Sequence, residues 1–288
     1  MEELNMLIRW IIIILAFILW MRINNQRLSV TSFQMDTNKI PKEFKGCKLV
    51  FLTDLHNNSF GKNNEKLIDE IEKQNPDYIM IAGDMIIGKK DFCSHIPIQL
   101  LAILTKKYPV YYALGNHEEK LNTFEETKDS TYVEYKEKLI TLGVRFLDNE
   151  QVRLTRSNQS ICITGLTIGL NYYQKKWKQS VMPKDYIHDL VGEAAKDCYQ
   201  ILLAHNPQYF EHYADWGADL VLAGHVHGGI MILPKLGGVI APNYQLFPKY
   251  DSGQFVQNET TMILSRGLGT HTIKVRIHNK PELVVVQL

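Results

Sequence analysis

The sequence has no excess of either charge. Its 32 Lys and Arg residues stand against 31 Asp and Glu, a formal net charge of +1, so nothing points to a nucleic-acid partner or a strongly acidic one. An anionic substrate must therefore be held by a local site. The 288 residues contain no internal repeat and no low-complexity tract, and they suffice for one large domain or two small ones. Cys47, Cys93, Cys162 and Cys198 are scattered, with no CxxC pair and no disulfide-like spacing. They read as buried apolar residues, which neither argues for a disulfide-stabilised secreted protein nor excludes export. No serine or cysteine stands out as a nucleophile.

Long hydrophobic runs are missing too, with one exception. Residues 10–21 read WIIIILAFILWM between Arg9 and Arg22. Crossing a bilayer takes about 20 residues, which residues 4–23 supply if both arginines snorkel. Trp10 and Trp20 lie near the ends, where interfacial aromatics are favoured. No small-x-small site follows, as a cleavable signal peptide requires, and apolar residues cover every face, unlike an amphipathic core helix. The expectation is a single-pass membrane anchor over residues 1–23 and a polar stalk over 24–44 that can add an edge strand. A domain over 45–288 follows. Arg22 and Arg27 against Arg9 lean that domain toward the cytoplasm by one residue, which leaves the side of the membrane open.

From residue 45 on, short apolar runs alternate with helical stretches. Residues 48–53, 78–82 and 110–114 read as buried strands, and 64–73, 98–107 and 132–142 as helices. Further strands fall near 151–155, 160–164, 200–204, 219–223 and 261–265. Residues 273–277 and 283–287 read as a closing hairpin through 279–281. Alternation of this kind predicts an α/β fold with a layered core.

Polar residues of metal-ligating type follow five of these runs. LVFLT leads into Asp54 and His56, YIMIA into Gly83-Asp84, and VYYAL into Gly115-Asn116-His117-Glu118. QILLA leads into His205, and DLVLA into Gly224-His225-Val226-His227. Open α/β sheets bind ligands at the carboxyl ends of strands, so the five would meet on one rim. In an extended segment Asp54 and His56, two apart, share a face, as do His225 and His227. Gly83, Gly115 and Gly224 allow close backbone approach. Imidazole, carboxylate and amide together suit divalent Mn, Fe, Zn or Co, and the number of groups exceeds one tetrahedral site.

The set D-x-H, G-D, G-N-H-E, a later His and G-H-x-H resembles the signature of the calcineurin-like metallophosphoesterase superfamily. GHVHGGIMILPKLGGVIAPNYQLFPKYDSG and LSRGLG look like its membrane-anchored bacterial branch. The resemblance runs from about residue 45 to the C-terminus; Glu118 stands where many members carry Asp. It implies a two-sheet αββα sandwich preceded by the hydrophobic helix. It also implies one metal on Asp54, His56 and His227, a second on Asn116, His205 and His225, and Asp84 bridging both. Two such cations, about 3.5–4 Å apart, would activate a bridging hydroxide for attack on phosphorus. His117 is then expected to protonate the leaving oxygen or stabilise the transition state, with Glu118 orienting its ring. Arg266, Tyr250 and His271 are weaker candidates for substrate contact. Lys175, Lys176, Trp177 and Lys178 resemble a membrane-surface or cap loop. A phosphate ester or pyrophosphate, free or lipid-linked (a diacyl nucleotide-sugar or phospholipid), is the expected substrate. A metal-binding scaffold without turnover and a protein phosphatase are the alternatives.

Overall fold

The computed structural model describes residues 2–89, 92–123, 131–175, 178, 180–242, 244–270 and 275–288. In chain order the first half runs α1 (Glu2–Asn25), β1 (Ser29–Gln34), β2 (Lys48–Leu52), α2 (Glu65–Gln74), β3 (Tyr78–Ala82), α3 (His95–Leu104), β4 (Val110–Ala113), α4 (Asn116–Thr123), α5 (Thr131–Thr141) and β5 (Val144–Phe146). The second half runs β6 (Glu150–Arg156), β7 (Gln159–Leu166), α6 (Tyr186–Val191), β8 (Tyr199–Ala204), α7 (Phe210–Trp216), β9 (Leu220–Ala223), β10 (Ile232–Leu233), β11 (Gly237–Gly238), β12 (Gly253–Gln257), β13 (Thr260–Leu264) and β14 (Glu282–Gln287).

Two six-stranded sheets stack face to face, one in the order β1-β14-β2-β3-β4-β5 and the other β12-β13-β9-β8-β7-β6. Alternate side chains of each strand go to opposite faces. Leu49 and Phe51 therefore join Met80, Tyr111, Ile163, Leu203, Leu222 and Ile263 between the sheets. Val50 and Leu52 point outward onto Leu67, Ile71, Leu101 and Leu139, carried by α2, α3 and α5. The outer face of the second sheet is covered by Ile187, Phe210 and Tyr213 from α6 and α7. Both sheets are thus buried on two faces, which is why their central strands read as unbroken apolar runs. The architecture is the expected αββα sandwich.

Within residues 24–44, β1 joins the edge of the first sheet beside β14, in parallel register. α3 begins earlier than its apolar pattern implies. Pro97 sits in its first turn, where a missing N–H costs nothing. α1 precedes the sandwich, and its segment Asn5–Asn25 is long and apolar enough to cross a membrane, with none of it buried in the protein.

Two expectations fail here. The closing hairpin does not form: Ile277 bridges Met231, while β14 inserts between β1 and β2, antiparallel to β2. Residues 273 and 274 of that run lie outside the described residues. The cysteines are not all free. Cys162 on β7 and Cys198, just before β8, form a disulfide across neighbouring strands. Their spacing of 36 residues carries no signal, because strand pairing sets their proximity. Cys47 is buried and Cys93 exposed.

Candidate metal centre

The carboxyl ends of β2, β3 and β4 in one sheet, and of β8 and β9 in the other, meet at one rim. Three overlapping groups gather there, each with ligating atoms within 4.8 Å of one another: Asp54, His56 and His227; Asp84, His205 and His225; and His56, Asp84 and His117. Each could hold a metal ion.

The two aspartates divide their oxygens. Oδ2 of Asp54 faces the hydroxyl of Thr53 (2.9 Å) and accepts from the backbone N–H of His225 (3.0 Å). That leaves Oδ1 toward Nε2 of His227, His56 and His205, at 3.2, 3.6 and 3.8 Å. Oδ1 of Asp84 accepts from the backbone N–H of His117 (2.9 Å). Its Oδ2 lies 3.1 Å from Nε2 of His205, 3.7 Å from that of His56 and 3.9 Å from that of His117. One oxygen of each carboxylate fixes the loop, and the other faces the centre between histidines of both sheets.

The donor set fits divalent cations. Nδ1 of His205 donates to Ala82 O (2.6 Å), so Nε2 is the nitrogen turned inward, available to a cation once its proton is displaced. Asp54 Oδ1, Asn116 Oδ1 and His205 Nε2 are buried with no hydrogen bond among the described residues. Buried polar atoms left so are costly unless something else satisfies them, and convergent N and O lone pairs suit a first-row divalent ion.

The backbone explains how so many ligands reach one point. Asp54, His56, Asp84, His225 and His227 all take positive φ, between 46° and 71°. The D-x-H and H-x-H pairs therefore converge through left-handed turns, not through the extended geometry expected of them. Such conformations are strained for non-glycine residues and persist where surrounding bonds impose them. Gly115 and Gly224 leave room for the carboxylates, since a Cβ on either would collide with Asp84 or Asp54.

Burial alone would raise the pKa of Asp54, but the charges of His227 and His205 hold it well below the ordinary carboxylate range. Asp84 is likewise depressed, its burial outweighed by His205 and His117. Burial opposes charge on His205, yet Asp84 and Asp54 carry its pKa up to about 10. Burial and the neighbouring His205 push His225 down to about 3.

Glu118 has a different place from the one expected. Its fully buried carboxylate accepts from the N–H groups of Asp84 (2.8 Å), Met85 (2.9 Å) and Gly115 (3.1 Å) and from the hydroxyl of Tyr112 (2.7 Å). Those bonds fill its lone pairs, so it pins the loop of Asp84. Nδ1 of His117 is instead fixed by the backbone N–H of Gly88, which donates to it at 2.7 Å.

Two of the weaker candidates are engaged by other residues. Arg266 is bound to Glu282 (2.7 Å) and reaches Ser29, away from the cluster. Tyr250 packs into the core between Phe210 and Phe255. His271 lies outside the described residues. The LSRGLG loop acts through its backbone, because Gly267 and Gly269 pass so close to Asp54 and Leu55 that a Cβ would collide.

Sequence reasoning missed Arg276, Asn279 and Tyr173. Arg276, 3 % exposed, turns its Nη2 to the carbonyls of Arg266, Gly267 and Gly269 and lies 3.5 Å from Nδ1 of His227. Asn279 donates to His227 O (2.7 Å) and to Gly229 O, holding the H-x-H turn. Tyr173 stands edge-on to His225, with ring centroids 5.1 Å apart. An arginine inside the alternating apolar stretch 273–277 was the available signal, since a charge there needs a buried partner.

The fold and this cluster define a phosphoesterase with a potential dinuclear centre. Residues 47–229 match the calcineurin-like phosphoesterase family, and the chain belongs to it. It is accordingly a hydrolase acting on phosphoric ester bonds. The metallophosphoesterase YkoQ of Bacillus subtilis (strain 168) is 23 % identical over 283 residues, 96 % of this chain and 97 % of its own. The phosphodiesterase YaeI of Escherichia coli (strain K12) is 25 % identical, covering 84 % of this chain and 82 % of that protein. UDP-2,3-diacylglucosamine pyrophosphatase LpxG of Chlamydia muridarum is 24 % identical over 86 % of each.

Proposed function

We propose that the protein is a two-metal phosphodiesterase or pyrophosphatase that acts on a lipid-linked substrate at a membrane surface. The observation that carries the metal assignment is Oδ2 of Asp84, within 3.1–3.9 Å of histidines from both sheets. On this reading Asp54, His56 and His227 would hold one cation and Asn116, His205 and His225 the other, with Asp84 shared between them. Two divalent ions so held would supply positive charge to phosphoryl oxygens and lower the pKa of water.

His117 contributes a hydrogen bond. A backbone N–H can only donate, so Nδ1 of His117 accepts from Gly88 and the neutral ring keeps its one proton on Nε2. Giving that proton away would leave an imidazolate, so Nε2–H stabilises charge on a substrate oxygen and does not transfer to it. Glu118 and Tyr112 keep the Asp84 loop in register behind the reacting groups.

α1 supplies the anchor in this reading, and residues 45–288 the catalytic domain. The Cys162–Cys198 disulfide supports a domain on the oxidising side of the membrane, against the one-residue lean of the flanking arginines. The lipid-linked substrate draws on the similarity to LpxG, a pyrophosphatase of a diacylated nucleotide-sugar by its name.

The test uses the full chain, stripped of metal and reloaded with Mn, Zn or Mg. It compares bis-p-nitrophenyl phosphate, p-nitrophenyl phosphate and a lipid-linked pyrophosphate. Metal-dependent turnover with kcat/KM highest on the lipid-linked substrate supports the reading. Turnover confined to the monoester would contradict it.

A further inference from the structure

An apolar groove of about 120 Å³ opens beside the metal centre, with His227 and Arg276 among its lining residues. Val226, Ile230, Ile240, Tyr244 and Val275 form its sides. The segment that supplies Ile240 and Tyr244 carries further exposed apolar side chains. Leu236, at the turn between β10 and β11, and Tyr244, Leu246 and Phe247 beyond it are each more than half exposed. Four large apolar side chains exposed within residues 236–247 are a surface that water does not favour, and such patches mark contact sites.

Three observations identify what covers it. Trp20 of α1 lines a second cavity together with Arg276, Arg266 and Lys280, so Arg276 lies between the groove and the end of the apolar helix. The rim carries cations at its edge: Lys235 is exposed, and Nζ of Lys175 lies over the Tyr244 ring at 5.0 Å. Aromatic and aliphatic groups bordered by lysines are the composition of a surface that sits in a lipid headgroup layer. Finally, Nε of Arg276 is buried without a hydrogen bond among the described residues, a charged group in the lining of the apolar groove.

We propose that residues 230–247 dock on a membrane containing anionic lipid, and that the groove beside His227 seats one acyl chain of such a lipid, with its headgroup toward Arg276. The seat deepens the lipid-linked reading given above and rests on it for the chemistry, but docking itself needs no turnover. α1 then tethers the chain, and the 230–247 surface sets the distance and tilt of the catalytic rim over the bilayer. Each buried methylene should tighten binding about fourfold, so chain length becomes part of substrate selection.

The experiment places the full chain in nanodiscs that contain phosphatidylglycerol bearing a photoactivatable acyl chain, and maps the adducts by mass spectrometry. The expected result is labelling of peptides from residues 226–247 as well as of α1. The double variant Leu246→Asp/Phe247→Asp, at exposed positions, should reduce adducts in residues 226–247 by fivefold or more. Adducts confined to α1 in the wild-type chain would overturn the proposal, as would equal labelling of 226–247 in the double variant. Neither arm reads catalysis, so a docked protein that turns over no phosphoester would sink the hydrolytic reading alone, and an active enzyme labelled only on α1 would sink this one alone.

Discussion

The N–H of Gly88 donates a 2.7 Å hydrogen bond to Nδ1 of His117, which commits the ring's proton to Nε2, on the side of Asp84. That single contact separates two roles that sequence alone leaves open. A residue that stabilises charge through a fixed N–H can be replaced by another N–H, whereas a proton-transferring acid cannot. His117→Ala should lower kcat by about 10²–10³-fold while metal content stays unchanged. His117→Gln, whose amide can present an N–H near the same point, should keep at least tenfold more activity than the alanine variant. Equal loss in both, measured as kcat on a phosphodiester, would restore the proton-transfer role.

Glu118 should behave as a structural residue. Glu118→Gln replaces one acceptor oxygen by an NH₂ facing N–H or O–H donors, leaving buried groups unsatisfied. The expected cost is about 1–3 kcal/mol in denaturant unfolding, with weakened metal retention because Asp84 N–H loses its partner. Tyr112→Phe removes only one of the bonds to that carboxylate and should cost about 1 kcal/mol. A Glu118→Gln protein of wild-type stability and reduced kcat would assign the residue to chemistry instead.

Metal loading should release protons. In the metal-free site the carboxylates of Asp84 and Asp54 outweigh burial and raise His205 to about 10, so it is protonated at neutral pH. His56 is raised in the same manner, burial again outweighed by Asp54 and Asp84. A cation must displace those protons, so apparent affinity should strengthen as pH rises from 6 toward 9. His225, already neutral because its pKa lies near 3, adds nothing to that slope. Zinc titrations by calorimetry in buffers of different ionisation heat read the proton count directly, and a pH-independent affinity would contradict the charge distribution described here.

Much of the site is legible in the sequence because strand ends and ligand types coincide: five apolar runs each stop at a residue able to bind metal. The αββα layering follows from the same runs. What stays hidden depends on contacts between distant segments. Asp54 and His225 adopt positive φ because the Asp54 carboxylate caps His225 N–H across 171 positions, and no local pattern encodes that. Arg266 in SRGLG looks like a phosphate ligand until β14 brings Glu282 against it, and Tyr250 looks like a pocket-lining residue until Phe210 and Phe255 enclose it. Arg276 and Tyr173, which pack against His227 and His225, stand in no recognisable motif.

The disulfide between Cys162 and Cys198 should be found in protein recovered from its native membrane. Peptide mapping without reductant, after alkylation, should yield the linked pair and leave Cys47 and Cys93 as free thiols. Removing it in Cys162→Ala/Cys198→Ala should cost about 2–4 kcal/mol of stability. Free thiols at both positions would place the domain on the reducing side of the membrane.

The central claim is that Asp84 joins two metals into one catalytic unit. Metal content by mass spectrometry, taken together with phosphodiester hydrolysis across a manganese titration of wild type and Asp84→Ala, tests it most directly. The account predicts turnover that rises in step with occupancy of a second metal in wild type, and loss of both second-metal binding and turnover in Asp84→Ala. Full activity at one metal per chain, or an active Asp84→Ala protein, would contradict it.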